Sequence, residues 1–362
     1  MCGPTFHAQC NRHDPSQKTR SRADPPSGLF FRPVARVLGP LRSRPMANAA
    51  SYPFYDISVD VVVVSFNSAR QIERCVSLIT APRGIRITVV DNCSSDGSPE
   101  LITRLPVHGI LLRTNRGFAH GCNLGWRAGE APFVLFVNPD AEIDAASVGR
   151  LVDVLRTEPA VGAVGPRVIN ARGELAFSQR RFPTPVASLA QALFLHRVPG
   201  LHALAEDLVR DRRAYERVAE PDWVSGACIA VRRSDLERLG GWDERFFMYR
   251  EDVDLCRRLR DLGLAVRFEP SATVVHLEGA SAPRGRMIPV LAASRLLYAS
   301  KHYGGLGAAL ERLSVAIHAF THALLGRGGF SVRAGHIRAL RTVLRPPRFQ
   351  HPVPAPEGKA GT

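Results

Sequence analysis

DVVVVSFNS, residues 60–68, is an unbroken β-branched run that ends abruptly in polar residues. A strand exposed on one face alternates apolar with polar side chains, so four consecutive valines predict a strand covered on both faces by helices. The residues after it agree. Ser68 and Gln71 have capping-box spacing, and Ile72, Cys75, Val76 and Ile79 fall on one helical face. The alternation then repeats: IRITVV (85–90) ends at Asp91, a loop and a short helix near Leu101 come next, and GILLR (109–113) stops before Asn115. PFVLFV (132–137) stops at Asn138-Pro139-Asp140, Asp144 caps a helix through Leu155, and VGAVGPRV (161–168) reads as another strand. This predicts an α/β fold with a right-handed, doubly wound, Rossmann-like and mostly parallel sheet, and ligands beyond the carboxyl ends of its strands. Asp91, Asn115 and Asp140 all stand at such ends.

Further along, GWDERFFMYREDVDLCRRLRDLG (241–263) is an aromatic and acidic turn running into a helix, since Leu255, Leu259 and Leu262 recur at helical spacing. Carboxylates suit a helix start, which accounts for one or two of Glu251, Asp252 and Asp254. Three acids in four residues, preceded by Trp242, Phe246, Phe247 and Tyr249, predict more: a carboxylate cluster against an apolar wall, as a tuned general base requires. RGFAHGCNLGWRAG (116–129) carries glycines whose role is open between ligand approach and helix packing. Asp140 reads either as a hard metal ligand or as a turn residue after proline.

The net charge of +15 over 362 residues is uneven. Residues 1–50 hold a basic surplus of six and residues 281–362 a surplus of ten, leaving 51–280 at −1. Basic tails suit anionic partners. The C-terminal arginines are interleaved with apolar helical stretches, which favours a membrane surface; no aromatic interleaving or reading motif points to nucleic acid, and none is expected as a partner. Seven scattered cysteines without a CxxC pair argue against a disulfide framework and for a reducing compartment. No apolar run has the length of a spanning helix.

Four segments are expected. Residues 1–55 form a disordered extension, with Met46 as an alternative start; 56–281 are the catalytic domain; 282–348 are a separate helical extension opened by a hinge at SAPRGRMIPV (281–290); 349–362 are a disordered tail.

The order of motifs from Asp60 to Ser281 resembles the inverting family 2 glycosyltransferases of the GT-A fold, and within them the bacterial rhamnosyltransferase-like members. The motifs are VVVSFN with Asn67, VVDNCSSDGS with Asp91, NRGFAHGCNLG with Asn115, Gly117 and Asn123, NPD with Asp140, WVSGA with Trp223, the GWDERFFMYREDVDLCRRL block with Asp252, and VVHLEGAS with His276. The resemblance implies a nucleoside-diphosphate sugar donor, dTDP-rhamnose or a UDP-sugar, held by Ser65, Phe66, Asn67, Asp91, Asn115, Gly117, Asn123, Asn138 and Asp140. It implies Mg2+ or Mn2+ on Asp140, with His276 completing the metal shell or contacting the diphosphate and with Asn138 replacing the first acid of the family's DXD pattern. Trp223, Ser225 and Gly226 would form the sugar and acceptor floor, Asp252 would be the base and Glu251 would orient it or the acceptor hydroxyl. The acceptor would be a polysaccharide or lipid-linked glycan, met at the cytoplasmic face of the membrane. Alternatives are a non-catalytic nucleotide-sugar-binding relative and, more remotely, a basic nucleic-acid-binding protein.

Overall fold

The structure is a computed structural model that describes residues 58–79, 84–198, 201, 205–277, 284–326 and 329–344. The expected N-terminal extension with Met46 and the C-terminal tail lie outside the described residues. The first half alternates as the valine run predicts: β1 (Val59–Ser65), α1 (Ile72–Ser77), β2 (Ile85–Asp91), α2 (Ser98–Ile102), β3 (His108–Leu111), α3 (Phe118–Arg127), β4 (Phe133–Val137), β5 (Ala141–Ile143), α4 (Ala145–Thr157) and β6 (Val161–Asn170). Next come β7 (Leu175–Ala176), β8 (Gln179–Arg180), α5 (Pro185–Ala192), β9 (Trp223–Val224), β10 (Cys228–Arg232), α6 (Arg233–Leu239), α7 (Glu251–Asp261) and β11 (Ala265–His276). Three helices close the chain: α8 (Arg284–His302), α9 (Gly305–Leu325) and α10 (Phe330–Leu344).

The main sheet runs β3-β2-β1-β4-β10-β6-β11-β5, with β7 on β6, and β8 pairs with β9 in a small second sheet. β1 is parallel to both β2 and β4, and β11 to β6, whereas β10 is antiparallel to both its neighbours. The doubly wound expectation therefore holds for β1 to β4 and gives way at β10, which enters the centre of the sheet in reverse. The reversal has a consequence: the chain leading into β10 lies at the carboxyl end of β4, with Cys228 opposite Val137.

Val59, Val61 and Val63 join one core with Ile72, Cys75 and Val76 of α1 and Leu151 and Leu155 of α4. Val62 and Val64 join the other, with Cys122 and Trp126 of α3, Val253, Leu255 and Leu259 of α7, and Leu297 and Tyr298 of α8. Residues of alternating parity thus enter different cores, and neither face of the strand has a polar side to present.

Two local expectations are corrected. The capping box does not form, because Ser68 Oγ donates to the Phe66 carbonyl and the Ser68 N–H donates to Ser98 Oγ, leaving Gln71 at the N-cap without a side-chain bond. Residues 284–290 are helix rather than hinge, even with Pro289 inside α8. Proline removes the N–H that would bond the carbonyl four residues back, and here that carbonyl, Gly285 O, accepts from Arg338 Nη2 at 3.1 Å instead. α8 also packs within the second core of the catalytic layer, so the helical extension does not begin as a separate unit. A third cluster, Ala292, Leu296, Val315, Ala319, Ala339 and Val343, joins α8 to α9 and α10. Among the described residues no helix is long and apolar enough to cross a membrane.

Candidate active site

The register places Ser65 opposite Asp91 and Val63 opposite Val137, so β1 and β2 end level while β4 ends two residues short of them, beside the start of β10. Asp91 is buried at 1% exposure, and its two oxygens accept from the N–H and the hydroxyl of Ser94 at 2.9 and 2.5 Å. Burial raises its pKa against the lowering effect of Ser94. Asn67, in the left-handed region at φ 52°, accepts from the Ser95 N–H at 2.8 Å while its own N–H donates to Ser94 Oγ at 2.8 Å. Strand β1 and the loop after β2 are therefore laced together where the nucleoside was expected. Ser65 is fully buried with no hydrogen bond to its hydroxyl, and Phe66 is half-buried beside it.

The ladder between β5 and β11 explains the next pair. His276 is opposite Ala141 and the Leu277 N–H donates to Asp140 O, which carries the imidazole to the Asp140 carboxylate. His276 Nε2 lies 3.3 Å from Asp140 Oδ1, with side chains 22% and 13% exposed. An imidazole nitrogen and a carboxylate oxygen at this separation fit a divalent cation that takes its other ligands from phosphate and water. Among the described residues no group of three His, Cys, Asp or Glu side chains is placed to hold a metal without such help.

One hydrogen-bonded path leads from there to the acidic helix. The Asn138 N–H donates to Ala227 O at 2.9 Å, and the Gly226 N–H donates to Asp252 Oδ2 at 3.0 Å. Asp252 Oδ1 also accepts from the Val253 N–H at 2.8 Å. Beside it Glu251 is 7% exposed, and its Oε2 has no hydrogen-bond partner. Burial raises both carboxyls, and Glu251 is pushed well above its ordinary value, by burial first and by the Asp252 charge second. Two N–H donors oppose the effect of burial on Asp252, and Glu251, which lacks such donors to its Oε2, is the carboxyl raised further. Asp254 differs: it is held below its ordinary value, burial being outweighed by the bond from His302 and the charges of Arg258 and Lys301. It ties α7 to α8 and is not available for chemistry.

Several expected contacts have other jobs. Asn123 is fully buried; its amide donates to Trp242 O and Glu244 Oε1 and accepts from the Trp242 N–H and Trp126 Nε1. It joins α3 to the loop before α7, so a direct donor contact is corrected to a positioning role. Gly117 is also packed rather than open: at φ 91° a side chain there would overlap the Phe247 backbone, whose carbonyl accepts from the Phe118 N–H at 2.7 Å. Gly121 and Gly125 sit against Val64 and Val62, which settles the open question in favour of helix packing. Asn115 Oδ1 accepts from the Gly117 N–H at 3.0 Å. Trp223 is 8% exposed and donates to Arg181 O, so its indole is mostly core; Ser225 Oγ accepts from the Ala227 N–H at 3.3 Å.

Some residues of the site carry no signal in the sequence. Asn92 bridges the Gly117 carbonyl and the Arg116 N–H, and Glu244 bonds His120 Nδ1 at 2.7 Å. Arg180, opposite Trp223 on the β8–β9 ladder, lies with its guanidinium 5.2 Å from that ring. Only the proximity of Asn92 to Asp91 could have pointed to one of them.

An N-acetylglucosaminyl-diphospho-decaprenol L-rhamnosyltransferase of Mycobacterium tuberculosis is 31% identical over 242 residues, covering 62% of this chain and 77% of that protein. The rhamnosyltransferase WbbL of Escherichia coli is 25% identical over 171 residues, covering 44% and 60%. The structure of GalNAc-T7 with UDP, GalNAc and Mn2+ superposes with a TM-score of 0.51 at 13% identity, covering 81% of this chain and 57% of that one. The fold is of the GT-A type with C-terminal helices. The model of "Glycosyl transferase family 2" matches residues 60–240 and that of "Glycosyl transferase family group 2" residues 171–341, and the chain is accordingly a glycosyltransferase belonging to family 2.

Proposed function

We propose that this enzyme transfers a sugar, with inversion, from a nucleoside-diphosphate donor to a hydroxyl of a lipid-linked glycan, and that Asp252 is the general base. The observation that carries this reading is the Glu251–Asp252 pair: a buried carboxyl raised well above its ordinary value stands beside one that accepts from the Gly226 and Val253 N–H groups. The same Gly226 segment bonds back to Asn138, two residues from Asp140.

In this reading Asp252 accepts the proton of the acceptor hydroxyl as its oxygen attacks the anomeric carbon from the face opposite the diphosphate. The transition state has oxocarbenium character, as in glycoside hydrolysis. Glu251, protonated beside it, keeps the pair from carrying two charges and orients Asp252 or the hydroxyl. Asp140 and His276 would hold Mg2+ or Mn2+, and the ion would supply Lewis acidity toward the departing diphosphate. Ser65, Phe66, Asn67, Asp91, Asn115 and Asn138 surround the donor end of the sheet. dTDP-rhamnose is the first donor to test and UDP-sugars the second, in view of the rhamnosyltransferases among the relatives.

The C-terminal helices would rest on the membrane that carries such an acceptor. Leu306, Leu313, Phe320, Leu324 and Leu325 of α9 and Phe330, Ile337 and Leu344 of α10 are exposed, and the one acid described in residues 284–344, Glu311, is buried under Arg295. An apolar face with basic and no exposed acidic residues suits anionic lipid.

The test is acceptor-dependent release of nucleoside diphosphate from dTDP-rhamnose and UDP-sugars, with and without Mn2+, using a short-chain prenyl diphosphate-linked N-acetylglucosamine as acceptor. Donor binding without transfer to any acceptor would turn the reading into that of a nucleotide-sugar-binding protein.

A further inference from the structure

The residue before the acidic pair is Arg250. It is the N-cap of α7 with φ 68°, and Tyr249 before it has φ 71°, so two consecutive non-glycine residues occupy the left-handed region immediately ahead of Glu251 and Asp252. That conformation is uncommon for side chains of this size and is found where surrounding packing imposes it. Its effect is to turn the Arg250 side chain away from the course it would take in a continuing helix. Arg250 is half-buried, yet among the described residues its guanidinium makes no hydrogen bond and no ion pair within 4.0 Å. A half-buried guanidinium without a protein partner is an unusual thing to keep next to the carboxylate proposed as base.

A second guanidinium approaches the same place from another element. Arg180 stands opposite Trp223 in the β8–β9 ladder, three residues before the Gly226 whose N–H holds Asp252. Its nearest acid, Asp207, is 3.8 Å away, a loose pair that leaves most of its donors unmet. Arg250, two residues ahead of Asp252 in the chain, and Arg180 both favour the charged form of that carboxylate. The other charges around Arg250 are Asp207, Glu311 and Arg295, and the last two already satisfy each other at 2.7 Å.

We propose that Arg250 and Arg180 form a seat for a diphosphate carried by the acceptor, separate from the donor diphosphate site at Asp140 and His276. Paired guanidinia bind phosphate oxygens through forked, charge-assisted hydrogen bonds, and a diphosphate offers enough oxygens to meet both. The anion belongs to the acceptor because both arginine charges act on the base, and the base must lie against the attacking hydroxyl. A sugar whose anomeric carbon bears a diphosphate and whose ring hydroxyl attacks carries both groups on one ring. The carrier's identity rests on the proposed transfer reaction; the diphosphate seat itself does not.

The test is direct binding to the full chain in EDTA without donor, using farnesyl diphosphate and, as its uncharged match, farnesol. The wild-type protein should bind the diphosphate and not the alcohol. Arg250→Ala should weaken that binding by about tenfold or more. Arg180→Ala should weaken it as well, Arg250→Lys should keep part of it, and Asp140→Ala should bind as the wild type. Equal binding of both ligands by the wild type, an unchanged affinity in Arg250→Ala, or a loss confined to Asp140→Ala would each overturn the proposal. Should Arg250→Ala fail to fold, Arg180→Ala and Arg250→Lys carry the comparison. The assay needs no turnover, so absent transfer with intact arginine-dependent binding would remove the transferase mechanism and leave the seat.

Discussion

Replacing Asp252 by asparagine tests the proposed base with the least change of shape. The carboxylate accepts from two N–H groups, Gly226 at 3.0 Å and Val253 at 2.8 Å. An asparagine oxygen can keep one of these, and its NH2 must then face the other donor, so the side chain settles with one bond lost and no capacity to take a proton. Loss of a general base lowers turnover by about two to four orders of magnitude, equivalent to roughly 3–5 kcal/mol of barrier at about 1.4 kcal/mol per decade. Donor affinity should change little, because the carboxylate faces the acceptor hydroxyl in this reading. The variant carries a second signature. The Asp252 charge is one cause of the raised Glu251 pKa, so its removal should bring Glu251 down. Wild-type kcat/KM should fall as pH drops through the raised Asp252 pKa, since the ionised form is the active one. Residual activity of Asp252→Asn should follow a different acid limb. The assay is initial rate of nucleoside diphosphate release across pH at saturating donor, with donor affinity measured separately by equilibrium binding. Turnover within a few-fold of wild type, with an unchanged acid limb, would refute the assignment and make Glu251 the next candidate.

Asp140→Ala should abolish the divalent-dependent part of the thermal shift given by nucleoside diphosphates while leaving the unliganded melting temperature near wild type; an undiminished Mn2+ effect would refute the metal assignment. Gly125→Ala should destabilise by about 1–3 kcal/mol in urea unfolding, because a Cβ there overlaps Val62, and a neutral result would show that α3 can shift. The Glu244 carboxyl is held down to about 2, first by the hydrogen bond with His120, so it contributes stability that is fully present above its ordinary pKa near 4.5 and lost as pH falls toward 2. His120→Ala should flatten the unfolding curve in that window; an unchanged slope would refute the pairing. Vesicles containing anionic lipid should sediment the protein at low salt, and Phe330→Ser with Leu344→Ser should weaken this; equal binding to neutral vesicles would count against the basic face.

The elements legible in the sequence are those whose signal is local. The valine run, Asp144 at its N-cap and the leucines of α7 each depend on neighbours within a few residues, and each forms as the spacing predicts. β10 is not legible as a reversed central strand, because CIAVR looks the same whichever way it runs and its direction is set by pairing with β4 and β6, about 65 to 100 residues earlier in the chain. Asn123 misleads for a similar reason. An asparagine in a glycine-rich helix suggests an exposed polar contact, yet its partners Trp242 and Glu244 lie about 120 residues away in sequence. Ser68 shows that a short-range motif also fails when a tertiary partner, here Ser98, takes over the same backbone N–H. The acids of the site are visible because several fall in one turn; Arg180 and Asn92 are not, since single polar residues carry no pattern of their own.

The C-terminal helices explain how the acidic turn keeps an unfavourable shape. Tyr249 and Arg250 hold left-handed dihedrals that other backbones would relax, and α8 grips both ends of that turn. Ser294 Oγ donates to the Met248 carbonyl at 2.7 Å just before it, and Lys301 and His302 bond Asp254 at 2.6 and 2.7 Å just after it. Lys301 also reaches Asp243 at 2.7 Å, on the loop that Asn123 anchors to α3. Glu251 and Asp252 are therefore set between two fixed points of one helix, which in turn packs against α9 and α10 through Leu296, Val315 and Val343. Loosening α8 should thus cost catalysis before it costs the sheet. Ser294→Ala removes one of the two grips without leaving a buried charge, and it should lower kcat more than it raises donor KM while the main unfolding transition moves little. A proportional loss of both, or none, would mean that the turn holds its shape without the helix.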